Sequence, residues 1–275
     1  YRTDDYQHVL SFYRSRSAED YPALPRQVGK LVQIPYCVPD DEALTERLKL
    51  SNTQAMSDIW LAILERTYDL GELFTLGLHP ERIGLLQKPL TAVLAQARGL
   101  SPGVWIARLD EITRWWQARS QTTVEVVAEE GNMFHLMVQG PSGTTPLARN
   151  VEVKAPTEVS ENGFDRVRAT SFRVQASKRP FAGLSPDSDL ALGDFLRQQG
   201  FWVETSPESR AYSTYLHHPS FTPEDERPLL KQLEQSEAPL IRLARWPDGA
   251  RSALCVTGDI DAMTLWDYGL RALGR

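Results

Sequence analysis

Ser252-Ala253-Leu254-Cys255-Val256-Thr257-Gly258-Asp259-Ile260-Asp261-Ala262 is a short apolar run that ends abruptly in two carboxylates, one residue apart. A run of this length with a β-branched residue reads as a buried strand delivering Asp-x-Asp at its C-terminal tip. Residues two apart on a strand share a face, so Asp259 and Asp261 can point into one site. Carboxylates at such a tip cost desolvation energy unless they meet a metal, a partner or solvent. Catalytic α/β folds commonly place their chemistry at this end of their strands. The pair can bind a divalent ion, or divide the work between a ligand and a general base. The plainer reading is a strand end whose Asp caps the next helix.

The first 120 residues carry the matching pattern. Leu31-Val32-Gln33-Ile34-Pro35-Tyr36 is a candidate strand closed by the turn-like Pro39-Asp40-Asp41. Met56, Ile59, Trp60, Ile63, Leu64 and Tyr68 recur at helical spacing, and Gly71 stops that helix. Glu72 to Leu78 reads as a strand that runs into His79-Pro80. Pro89 is placed to start a second helix with Leu90, Val93, Leu94 and Ala97 on one face. Val104-Trp105-Ile106-Ala107 follows as a short buried strand. Asp110 and Glu111 then sit in the first turn of a helix carrying Ile112, Trp115 and Trp116, where acids suit the dipole. Helix–strand–helix–strand–helix is the order of a parallel α/β unit.

From Gln121 the pattern changes. Thr122 to Val127, Met133 to Val138, Val151 to Val153 and Arg166 to Val174 read as short strands, with turns at Gly131-Asn132 and Pro141-Ser142-Gly143. Beyond 180, Asp187 to Gln199 is a helix stopped by Gly200, and Phe201-Trp202-Val203 a strand. Thr222-Pro223-Glu224-Asp225 is a helix start with a cap, a proline at the first position and acids in the first turn. Leu240 to Ala244 and Ala253 to Val256 are strands around the turn Trp246-Pro247-Asp248-Gly249. The expected division is therefore 1–120 as an α/β barrel part, 121–180 as a small antiparallel β module, and 181–275 as an α/β segment ending in the Asp-x-Asp strand.

Composition narrows the function. The 275 residues are 41% hydrophobic and 24% charged with a net charge of −6, as in an ordinary soluble globular protein. The absence of a dominant basic block argues against nucleic acid as the main partner. No apolar run approaches the ~20 residues of a membrane span, and no secretory signal is visible. Cys37 and Cys255 each sit in an apolar run and read as buried free thiols, which favours a cytoplasmic setting. The chain opens on Tyr1 rather than Met, as a processed or truncated piece of a longer protein would.

His79 stands at the tip of its strand, where a histidine serves as general acid or as ligand. His217 and His218 are adjacent, so on extended chain they point to opposite faces and do not converge on one ion. His8 and His135 have no neighbouring ligand types. Trp105, Trp115, Trp116 and Trp202 suit sugar rings by their flat faces, but tryptophans at such positions are more often core.

With these residues in view, the chain resembles the NodB-type polysaccharide deacetylase family. Thr257-Gly258-Asp259-Ile260-Asp261 is similar to that family's first motif, Thr-x-Asp-x-Asp, and Leu76-Gly77-Leu78-His79-Pro80 to its last, Leu-x-His. The stretch from Ile34-Pro35 through Trp60, His79-Pro80 and Val104-Trp105-Ile106 is similar to the closing third of the family's distorted (β/α) barrel. The resemblance covers residues 1–118 and, locally, 240–275. It implies an α/β fold, a partial (β/α) barrel with an inserted or following β module, and a metal-dependent hydrolase that removes acetyl groups from a carbohydrate. It also implies Asp259 as catalytic base, Asp261 as ligand of a divalent metal, zinc in most of the family, and His79 as general acid. The family's metal-binding His-x-x-x-His is absent here, Arg179-Pro180 only faintly matches its Arg-x-Pro motif, and the order of the first and last motifs is inverted. A site left incomplete in this chain, with weak metal binding and little turnover, is therefore part of the expectation.

Two other classes compete. Haloacid-dehalogenase-type phosphatases and metal-dependent glycosyltransferases also use Asp-x-Asp, but Met263 stands where the former want Thr or Val, and no phosphate-cradling Gly-rich loop is present. A non-catalytic carbohydrate-associated protein would bind through the β module and exposed tryptophans.

Overall fold

The computed structural model describes Ser11, residues 15–160 and residues 163–258. β3 (Leu73–Leu78) is buried at every position, as a strand covered on both faces must be. Its neighbours are β16 (Ser252–Gly258) and, beyond β16, β4 (Val104–Ile106), so the sheet order is β3-β16-β4 and all pairings are parallel. The strand nearest the end of the described chain thus lies between two strands from its first half.

Side-chain alternation sorts this sheet into two cores. Phe74, Leu76, Leu78 and Leu254 face α1 (Thr53–Asp69) and α2 (Ile83–Gly99), packing with Trp60, Leu64, Leu86 and Val93. Leu73, Ala253 and Cys255 face α3 (Leu109–Ser120), packing with Ile112, Trp115, Trp116 and Trp246. The period of two, with both phases apolar, is why these strands read as continuous hydrophobic runs. Asn52 caps α1 by accepting from the backbone N–H groups of Gln54 and Ala55. α2 begins six residues before Pro89, after a 3-10 turn over Pro80–Arg82, so Pro89 lies inside the helix, buried against the core, and not at its first position. Pro80 supplies the starting proline instead.

Between residues 121 and 175 the strands pair antiparallel and lie in two sheets, one of which also takes in a strand from residues 240–243. One has the order β5-β6-β11-β8, with β5 (Thr123–Glu130), β6 (Met133–Gln139), β8 (Glu152–Lys154) and β11 (Ser171–Gln175). The other has the order β15-β7-β10-β9, with β7 (Pro146–Arg149), β9 (Thr157–Val159), β10 (Asp165–Val167) and β15 (Leu240–Leu243). The single strand expected over Arg166 to Val174 is divided between the two sheets. Their facing residues, among them Phe134, Leu136, Val174, Ala148 and Ile241, form one core.

A second parallel sheet, β13-β12-β14, contains β12 (Arg179–Leu184), β13 (Val203–Thr205) and β14 (Tyr212–Leu216). α4 (Leu190–Gln198) and α5 (Pro223–Gln235) pack with this region through Leu192, Leu196, Leu229 and Leu233. α5 starts as its sequence predicts, with a capping box between Thr222 and Asp225 and Pro223 in the first turn.

Sheet membership runs across residues 120 and 180: β15 completes a sheet of the β module, and β16 completes the sheet of β3 and β4. A buried bidentate pair, Arg227 on Glu72 at 2.6 and 3.0 Å, ties α5 to the start of β3. The fold is mixed α/β, and none of its sheets closes among the described residues. A three-stranded sheet that ends at β3 and β4 has two edges and encloses nothing.

Candidate functional site

The C-terminal ends of β3 and β16 lie side by side. Val256 is registered with Leu76, Thr257 with Gly77 and Gly258 with Leu78. Gly258 is the last described residue before Asp259, and Leu78 immediately precedes His79. Asp259 and Asp261 themselves lie outside the described residues.

His79 is 7% exposed, and its partner is a carboxylate that local sequence reading assigned to a turn. Asp41 is fully buried. Its Oδ2 accepts the backbone N–H of His79 at 2.6 Å, and its Oδ1 meets His79 Nδ1 at 2.7 Å. Oδ1 also accepts the backbone N–H of Glu42 at 2.8 Å. A buried carboxylate is tolerable when its oxygens are taken up in this way. The contact between Nδ1 and Asp41 fixes the ring in one orientation.

The neighbouring Asp40 has a structural task. Its Oδ1 accepts the N–H of Ala43 at 2.7 Å, at the start of the π-helical turn Ala43–Arg47, and its Oδ2 accepts the Tyr36 hydroxyl at 3.0 Å. The segment before it follows β3, with the Cys37 N–H donating to Thr75 O. The Tyr36 ring lies directly over Gly77, where a Cβ would stand 1.9 Å from the tyrosine oxygen. Only glycine lets the ring approach the strand this closely.

Beside His79 the two strand ends border a shallow apolar cleft of about 380 Å³, lined by Leu78, Pro80, Ile83, Leu86, Val256 and Gly258. This arrangement can hold an oriented, chargeable imidazole next to an apolar surface, which is what a general acid requires.

The other sequence candidates divide. His217 and His218 follow β14, where the His218 N–H donates to Ser188 Oγ and its carbonyl accepts from Asp189 N, so they are part of a loop connection. Trp115 and Trp116 are both buried, 8% and 2% exposed, although they are adjacent on a helix. Trp115 Nε1 donates to Arg245 O and Trp116 packs beside Trp246, so both belong to the one core between α3 and the sheet of β3. That corrects any reading of these two as exposed sugar platforms. Cys255 is buried and free and Cys37 is half-buried and free.

Among the described residues no group of three or more His, Cys, Asp or Glu side chains is placed to hold a metal ion. No described helix is long and apolar enough to cross a membrane. Comparison of the chain with protein-family models, with curated proteins and with solved structures finds no match.

Proposed function

We propose that this chain is a hydrolase of the polysaccharide deacetylase kind, removing acetyl groups from a carbohydrate, with His79 as general acid and Asp259 as base. The reading is supported by one observation above others. The strand running into Thr257-Gly258-Asp259-Ile260-Asp261 lies parallel beside the strand running into His79, with Gly258 opposite Leu78. The two motifs are inverted along the chain, yet the strands that carry them are neighbours. In a closed ring of strands the first and the last are also neighbours, so chain order does not decide which motifs meet. On this reading β3, β16 and β4 are staves of a partial (β/α) barrel.

The chemistry follows from the roles. Water adds to the acetyl carbonyl carbon while Asp259 takes its proton. His79, oriented by Asp41, gives a proton to the sugar nitrogen or oxygen as the carbon–heteroatom bond breaks, leaving acetate and the free amine or hydroxyl. Asp261 is the ligand of a divalent ion, zinc, on the strength of the motif alone. The apolar cleft suits the acetyl methyl and a sugar face.

The test is acetate release from acetylated chito-oligosaccharides and from an O-acetylated xylan, after zinc loading and dialysis. Expected are about one zinc per chain, lost in Asp261→Asn, and turnover that falls about 100-fold or more in Asp259→Asn and in His79→Gln with circular dichroism unchanged. Phosphate release from a phosphate ester without acetate release would replace this reading with a phosphatase. Glycan binding without turnover, unaffected by Asp259→Asn, would replace it with a binding protein.

A further inference from the structure

Well away from His79, α3, β15 and the chain after α4 enclose a second cavity of about 260 Å³. Its walls are largely apolar, with Trp116, Phe201, Trp202, Val138 and Ile241 among them, and it also takes in Arg119 and Arg242. Both arginines are more than nine-tenths buried, at 5% and 6% exposure. Arg119 stacks on Trp116 with its guanidinium carbon 4.4 Å from the ring centre, and Arg242 on Phe201 at 4.7 Å.

These guanidinium groups are short of partners. Arg119 donates through Nη2 to Gln198 O, and no carboxylate pairs with it among the described residues. Arg242 donates to Gln199 O at 3.1 Å, and Glu234, its nearest carboxylate, is 3.8 Å away while Arg245 holds the same oxygen at 3.0 Å. The Nε atoms of both Arg119 and Arg242 are buried with no hydrogen-bond partner, and so are the Thr122 hydroxyl and Gln27 Oε1. All four belong to residues lining this one cavity. Of the twelve buried side-chain atoms without a hydrogen-bond partner among the described residues, four belong to the lining of this one void, two of them on guanidinium groups. Buried positive charge that shares one carboxylate points to an anion.

We infer that this cavity is a binding site for a small organic carboxylate with a flat apolar body, its carboxylate received by Arg119 and Arg242 and its body lying among Trp116, Phe201 and Trp202. A guanidinium presents donors in a plane that matches a carboxylate, and the aromatic walls match a ring or a short planar chain. Burial and the repulsion of Arg245 push both arginines down to about 9, which leaves them protonated at neutral pH and raises the gain from an incoming negative charge. The site shares no residue with the His79 cleft and does not depend on the proposed hydrolysis.

The test is thermal unfolding and tryptophan fluorescence of the full chain titrated with benzoate, phenyl phosphate, inorganic phosphate and benzyl alcohol at constant ionic strength. Benzoate is expected to saturate, raise Tm and change the fluorescence, while benzyl alcohol and inorganic phosphate do neither. Arg119→Met is expected to weaken benzoate by about tenfold or more, the worth of a charge-assisted contact. Ser120→Trp, an exposed position on the cavity's rim, is expected to weaken it equally without touching either arginine. Saturation by phenyl phosphate with benzoate inert would overturn the carboxylate assignment. No saturable change with any anion, or benzoate affinity unaltered in Ser120→Trp, would overturn the site.

Discussion

Among the described residues are two small parallel sheets of three strands, and they use their C-terminal ends differently. At the end of β13-β12-β14 the polar side chains serve the backbone: Asp189 caps α4 and accepts Phe221 N–H, Ser188 accepts from His218 N–H, and the Tyr215 hydroxyl donates to Ser206 O. At the end of β3-β16-β4, Asp41 grips both the backbone and the titratable ring of His79. The position of a polar group at a strand tip is thus common to both sheets. What marks one as a candidate site is a buried carboxylate turned onto a group that can carry a proton. Each sheet also has a glycine beneath a tyrosine: Gly77 under Tyr36, and Gly183 under Tyr212, where a Cβ would lie 2.5 Å from the ring's root carbon.

The comparison is broken most directly by exchanging the two carboxylates. Asp41→Ala is expected to cost about 3–5 kcal/mol, because it orphans two buried donors of His79 and the half-buried N–H of Glu42, and to abolish the acetate release proposed above. Asp189→Ala is expected to cost about 1 kcal/mol, the worth of a helix cap, and to leave activity unchanged. Urea unfolding of the two variants checks both, and equal losses would erase the distinction between the sheets.

The glycines sharpen it at smaller scale. Tyr212 is 6% exposed and is met at its ring root, so Gly183→Ala forces a backbone shift, at about 2–3 kcal/mol. Tyr36 is 50% exposed and is met at its tip, so the ring can swing out and Gly77→Ala costs about 1 kcal/mol. The double variant Gly77→Ala with Tyr36→Ala should recover most of the added strain, while the matching pair with Tyr212→Ala should not, since it also empties a buried position.

The smallest effect is alkaline. Burial pushes the thiols of Cys255, on β16, and Cys37, beside β3, from an ordinary 9.0 up to about 11. A thiol whose folded pKa is raised contributes stability fully below about 9, and that contribution is lost as pH rises toward 11. The urea midpoint should therefore fall between pH 9 and 11, and Cys255→Ala should flatten the fall. The second parallel sheet contains no cysteine, so the loss belongs to the first.

Much of this was legible in the residues. Leu73–Leu78, the α5 capping box and the turn at Trp246–Gly249 are local, and local chemistry decides them. His79 was legible because it follows a strand. Asp41 was not: Pro39-Asp40-Asp41 carries turn chemistry, and the group that gives Asp41 its role is 38 positions away. The arginine cavity was invisible for the same reason, since Arg119 and Arg242 meet only through tertiary packing. The placement of β16 between β3 and β4 was equally hidden, because any apolar strand satisfies the same pattern and nothing local names its neighbours.

That placement has a consequence for how the molecule comes to exist. β3 and β4 leave a ribosome early, and the strand that joins them leaves only after residues 107–251 have followed. Until then two apolar strand flanks stand open, and each is a template for association with another chain. Completing the sheet closes a loop of more than half the protein, which makes its formation slow relative to the local hairpin β5-β6 and to the hairpin of Arg26–Val28 with Leu31–Gln33. A chain cut short in synthesis would lack β16 and would never bring a partner strand to His79, so the candidate site exists only in molecules that have been read through to Gly258.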